Sequence, residues 1–140
     1  MKIWRIVLLP ALALAVTTSA APAAGAVTTQ KKVLVDLREE GGFAGLSNRV
    51  TVYTNGCVRL ARRTGPAVDK CLTAKERRQL RGYLKHLKVG RSEAPPQGAD
   101  FIKYTLTYKG HRASRYSVPT SWKPVVGHLD KVLVKYWAPD

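Results

Sequence analysis

Acid–base, metal and nucleophilic chemistry need Asp, Glu, His, Ser or Cys at matched spacings, and this 140-residue chain offers few. Its nine acids, Asp36, Glu39, Glu40, Asp69, Glu76, Glu93, Asp100, Asp130 and Asp140, are scattered. Glu39 and Glu40 are adjacent, so on a strand they point to opposite faces and cannot work as an acid/base pair with each other. They are read as solubilising surface groups. His86, His111 and His128 fall one to an element, with no i, i+4 pair and no His-Glu-x-x-His box to grip a metal. No Gly-x-Ser-x-Gly elbow and no Walker loop occurs. The expectation is a non-enzyme with neither cofactor nor metal.

Cys57 and Cys71 take their meaning from the N-terminus. Lys2 and Arg5 precede an apolar run, Ile6 to Val16, broken by Pro10 and followed by small residues. That is the pattern of a secretion signal, too short for a membrane span of about 20 residues. Cleavage is expected after Ala20 or after Ala26, leaving residues 27–140 as one exported domain. No lipid-anchor cysteine follows the apolar run, since the first cysteine is Cys57. In an oxidising compartment an even pair of cysteines reads by default as a disulfide. A metal pair and a reactive thiol are the weaker alternatives.

Charge is the strongest compositional signal. Lys and Arg number 24 against 9 acids, a net charge of +15. Eleven of the cations fall between Arg59 and Arg91, against only Asp69 and Glu76. Arg59, Arg62, Arg63, Arg77, Arg81, Lys85 and Lys88 are therefore expected to form a single basic side. Such a side suits an acidic partner or an anionic polymer. A 45% hydrophobic content excludes a disordered polycation.

The elements that must position these groups follow from periodicity. Lys32 to Arg38 alternates, with Val33, Val35 and Leu37 on one side. Arg49 to Tyr53 and Cys57 to Arg62 are strand-like and flank an Asn55-Gly56 turn. Residues Arg63 to Ala67 read as a loop within the disulfide. Thr73-Ala74-Lys75-Glu76 is a capping box opening a helix to about Lys88, with Leu80, Tyr83, Leu84 and Leu87 as its apolar stripe. Asp100 to Tyr108 is the cleanest strand, and Arg112 to Val118 returns beside it. A second helix is expected from after Ser121 to about Tyr136. The order β-β-β-α-β-β-α predicts an α+β domain, an antiparallel sheet of four to five strands covered on one face by two helices.

Three strings carry a resemblance. Arg38-Glu39-Glu40-Gly41-Gly42-Phe43-Ala44-Gly45-Leu46 comes first. Gly98-Ala99-Asp100-Phe101-Ile102-Lys103-Tyr104-Thr105-Leu106-Thr107 and Pro124-Val125-Val126-Gly127-His128-Leu129 follow in the same order. Together they resemble the emfourin family, small protein inhibitors related to the protealysin inhibitor, over roughly Val33 to Val134. The resemblance implies a partner, a thermolysin-like zinc metallopeptidase blocked at its active-site cleft. It carries over one site, the loop Gly41, Gly42, Phe43, Ala44, Gly45 and Leu46. The secretion signal and the Cys57–Cys71 hairpin look like additions to the family pattern.

The function expected is thus a secreted, monomeric inhibitor of a thermolysin-like metallopeptidase, with no specific nucleic-acid partner and no membrane span. Two alternatives stand beside it. One is a cationic module for anionic polymers or membranes. The other is an inhibitor of trypsin-like serine proteases that presents Arg62 or Arg63 from the disulfide loop.

Overall fold

The computed structural model describes residues 31–98 and 100–137. The expected secretion signal, with its cleavage positions after Ala20 or Ala26, lies outside them. Strand β1 (Val33–Gly41) is hydrogen-bonded along both edges, to β2 (Leu46–Tyr53) and to β5 (Ile102–Tyr108). Strands β3 (Cys57–Ala61) and β4 (Val68–Cys71) extend the sheet beyond β2, and β6 (His111–Arg115) extends it beyond β5. The result is one antiparallel six-stranded sheet in the order β4-β3-β2-β1-β5-β6. Helices α1 (Ala74–Lys85) and α2 (Lys123–Tyr136) complete the α+β fold.

The sixth strand exceeds the expected four to five. It is β4, within the segment enclosed by the disulfide. Its sequence, Val-Asp-Lys-Cys, holds one aliphatic residue in four and carries no readable alternation. Pairing with β3 creates it, and Cys57 stands directly across from Cys71, to which it is bonded. A disulfide is compatible with an extracellular location.

Register sorts the sheet into cross-strand rows. Leu60, Val50, Leu37, Leu106 and Ala113 form one row, each at most 2% exposed. Val58, Val52 and Val35 lie beside it, equally buried. These rows pack against Leu80 and Leu84 of α1 and against Val125, Leu129, Val132 and Leu133 of α2. Residues between them in sequence point to the other face, which the helices leave uncovered. There Asp36 accepts from Thr51 Oγ1 at 2.6 Å and from Arg49 Nε at 2.9 Å, with Arg38 Nε at 3.5 Å.

Helix α1 starts as its capping box predicts. Thr73 Oγ1 accepts from the Glu76 N–H, and Glu76 accepts from the Thr73 N–H. The helix ends at Lys85 rather than Lys88, because His86 and Leu87 donate three residues back, to Tyr83 and Leu84, and tighten the last turn. Tyr83 was expected on the core stripe. It is instead 37% exposed and meets His128 of α2 edge-on at 5.7 Å. Burial holds the His128 imidazole below its usual pKa, with Lys131 adding to the effect and Glu76 opposing it. Trp122, fully buried, donates its indole N–H to the Lys88 carbonyl at 2.9 Å and anchors the start of α2. Among the described residues no helix is long and apolar enough to cross a membrane.

The bond closes a loop with a sequence separation of 14 residues. Chain entropy assigns such a closure roughly 3 kcal/mol. Replacing both cysteines by serine should lower the unfolding free energy by about 2–3 kcal/mol in urea titrations, with the far-ultraviolet circular dichroism unchanged.

Candidate functional site

The glycine loop is the connection between β1 and β2, closed by the Gly41–Leu46 pair. Gly41, Gly42 and Gly45 all have positive φ, at 111°, 73° and 59°. At Gly41 the need for glycine is doubled, since a Cβ there would collide with the Phe101 carbonyl oxygen.

Two neighbours hold the loop from opposite sides. On the β5 side, the Gly42 N–H donates to the Phe101 carbonyl at 3.2 Å, and the Phe43 N–H donates to Asp100 Oδ1 at 3.0 Å. On the β3 side, Arg63 Nη1 donates to the Ala44 and Gly45 carbonyls at 3.3 and 3.4 Å. The Gly45 N–H closes the turn onto the Gly42 carbonyl at 3.0 Å. The backbone is therefore tied while the side chain at the tip is not: Phe43 is 90% exposed. Phe101, 42% exposed, sits behind the loop and lines a depression of about 420 Å³ with Pro96 and Tyr116. Such an arrangement has its binding backbone ordered in advance and an aromatic ready for burial.

Arg62 and Arg63 are both engaged within the molecule. The Arg62 guanidinium stacks on the Trp137 ring at 4.8 Å from its centroid, while Arg63 clamps the glycine loop. Neither is presented as a free side chain, as a trypsin-like pocket requires. Sequence reasoning brought the two segments forward separately, and the fold places them in contact. It missed Asp100 and Arg63 as clamps, because nothing local marks a hydrogen bond across 57 or 19 positions.

The basic residues do not share one side. Arg59 projects from the uncovered sheet face, opposite the helices, with Asp69 3.9 Å away. Arg77, Arg81, Lys85 and Lys88 stay with the α1 segment and make no ion pair among the described residues. The expected single basic patch is thus divided by the alternation of β3, which sends Val58 and Leu60 inward and Arg59 outward.

Glu39 also departs from its expected surface role, being only 7% exposed. It lies in phase with Val35 and Leu37 on the helix face, a signal lost when the strand is ended at Arg38. Its row is polar: Asn48 on β2 donates to Glu39 at 3.1 Å, and Tyr104 on β5 stands across from it. From α2, the Asp130 carboxyl lies close enough to Glu39 for the two to interact. Burial, and then the Glu39 charge, push the Asp130 carboxyl up to about 7. Burial and the same two acids raise the Tyr104 hydroxyl. Glu39 and Asp130 thus close the end of the core with a polar contact. Among the described residues no three His, Cys, Asp or Glu side chains are placed to hold a metal ion.

Asp130 titrates higher in the folded chain than its ordinary 3.8, so folding favours its protonated form. That contribution is complete below about pH 4 and is lost as pH rises through about 7. Thermal unfolding should therefore show Tm falling between about pH 4 and 7. Asp130→Asn, neutral throughout, should flatten that slope and raise Tm at pH 8 by roughly 5 °C. Glu76 acts with the opposite sign. Burial opposes its charge, but Lys135, the Thr73 N–H and the Tyr136 hydroxyl outweigh that and hold it down at about 2. Its share of stability should be lost only as pH falls from about 4.5 toward 2, a loss that Glu76→Gln removes.

Set against protein-family models, curated proteins and solved structures, the chain matches none.

Proposed function

We propose that this protein is a secreted proteinaceous inhibitor that docks the Gly41–Leu46 loop into the active-site cleft of a thermolysin-like zinc metallopeptidase. One observation carries the reading: Phe43 is 90% exposed at the tip of a loop whose backbone is hydrogen-bonded from both flanks. A fully exposed aromatic in isolation is unremarkable, but here the chain orders the backbone around it. Burying such a side chain in a partner's apolar pocket is worth about 2 kcal/mol. The prior ordering removes most of the entropy that a floppy loop would lose on docking. The resemblance of Gly41–Leu46 to the emfourin opening supplies the class of partner. Inhibition on this reading is by occlusion and needs no chemistry from the inhibitor.

Purified protein should inhibit a thermolysin-like enzyme at stoichiometric amounts. Phe43→Ala should raise the inhibition constant by about thirtyfold, the equivalent of roughly 2 kcal/mol, with Tm unchanged. Asp100→Ala keeps the aromatic but releases one flank, so a smaller loss of about fivefold is expected. Titration of hydrolysis against inhibitor checks both variants. Full potency in Phe43→Ala would remove the loop from the interface, and absence of inhibition at micromolar protein would overturn the reading.

A further inference from the structure

The end of the sheet away from the glycine loop carries a feature that protease inhibition does not use. There α1 comes close to the β2–β3 and β5–β6 turns, and three depressions occur, two of them walled by the helix and one between them formed by the strand ends alone. The first is lined by Gly56, Arg77 and Arg81, together with Leu34, Tyr53 and Thr54. A second, of about 490 Å³, shares Leu34 and Thr54 with it and adds Lys32, Tyr108 and Lys109. A third, of about 510 Å³, shares Tyr108 and Lys109 and adds Lys85 and His111. The shared residues set the three side by side as a groove across the sheet's end, pinched at the first, whose volume is only about 10 Å³. From β3 to β6 it crosses four strand spacings, roughly 19 Å.

Its charge is of one sign. Lys32, Arg77, Arg81, Lys85 and Lys109 line it, and no acid does. None of the five makes an ion pair among the described residues, whereas Arg38, Arg49, Arg59 and Lys103 on the open sheet face all have a carboxylate within 4 Å. The acids of the helix layer are turned away, Glu76 to Lys135 and Asp130 to Glu39. Lys109 has φ 50°, a left-handed position that usually goes to Gly or Asn, and its Nζ lies 5.3 Å from the Tyr108 ring centroid.

We infer that this groove binds a linear anionic polysaccharide, one bearing sulfate or carboxylate groups along its chain. A line of unpaired cations with no acid among them is complementary to a regularly charged polymer. Single-stranded nucleic acid is the less favoured occupant, because it needs open aromatic faces for its bases. Here Lys109 lies over Tyr108 and Lys31 over Tyr53, at 5.3 and 5.6 Å from the ring centroids, so neither ring offers a bare platform. Groove and glycine loop lie at opposite ends of β1, so polymer binding leaves the loop unobstructed.

Isothermal titration of the purified protein with a heparin-derived oligosaccharide and with an oligothymidylate of equal charge tests the inference. The oligosaccharide should bind at physiological ionic strength, more tightly than the oligonucleotide, with affinity falling steeply as salt is added. The triple variant R81Q/K85Q/K109Q should weaken binding at least about tenfold, whereas R59Q/K103Q/R112Q, with the same charge change on the opposite face, should alter it less than about twofold. In the unaltered protein, bound oligosaccharide should slow amide exchange around Tyr108 and Lys109. Equal losses in the two triples, protection elsewhere only, tighter binding of the oligonucleotide, or no binding would each overturn it.

Discussion

Strand β1 is paired along both edges, and the direction of its side chains decides most of what the rest of the molecule does. Val35 and Leu37 face the helices, while Asp36 and Arg38 face the uncovered side. Because the side-chain period of a strand is two, a slip of one residue against β2 or β5 would exchange these faces. The apolar rows contributed by β3, β2, β5 and β6 all line up on Val35 and Leu37, and both helices bury against those rows. Where the apolar pattern stops, at Glu39, the core ends in a polar row closed by Asn48, Tyr104 and Asp130. Two residues later the chain reverses through glycine.

The charge of the protein is best understood by following its few acids. Asp36, Glu40, Asp69 and Glu93 each have a cation within 4 Å on the sheet or at its edge. Glu76 serves both the α1 cap and the contact with α2 through Lys135 and Tyr136. Asp130 faces Glu39 and is largely neutral under mildly acidic conditions. With these carboxyls engaged elsewhere, the flank of α1 that carries Arg77, Arg81 and Lys85 has no acid paired with it among the described residues. A net charge that looked like a bulk property of the chain thus becomes a local one, concentrated where no acid is near enough to cancel it.

The glycine loop and the basic groove illustrate opposite ways of preparing a surface. In the loop, hydrogen bonds to Asp100 and Phe101 and from Arg63 engage the backbone and leave one aromatic side chain uncommitted. In the groove, the side chains carry the recognition, and the one unusual backbone position, Lys109 at φ 50°, belongs to a hairpin turn. The first arrangement favours a partner with a defined pocket, since a single rigid anchor must fit. The second tolerates a polymer whose charges repeat but whose exact position does not matter.

Much was legible in the amino-acid order. The alternation of Val35 with Leu37 and of Ile102–Tyr108 specified two central strands, although a bulge between Val33 and Val35 takes Val33 off the core face and leaves it 48% exposed; Thr73 and Glu76 specified the start of α1, and three glycines in five residues specified a reversal. Each is a local property, written within one strand or one helical turn. The disulfide was also legible, from an even pair of cysteines behind an expected secretion signal. What only the tertiary structure decided is which groups meet. The sequence could not reveal β4, which forms because β3 offers it an edge. Nor could it place Arg63 on the glycine loop, set Glu39 against Asp130, or separate Arg59 from the cations of α1. Those outcomes depend on register and on the packing of helices over the sheet, which bring together residues tens of positions apart. Local pattern states where a side chain points, and only the assembled sheet determines what it points at.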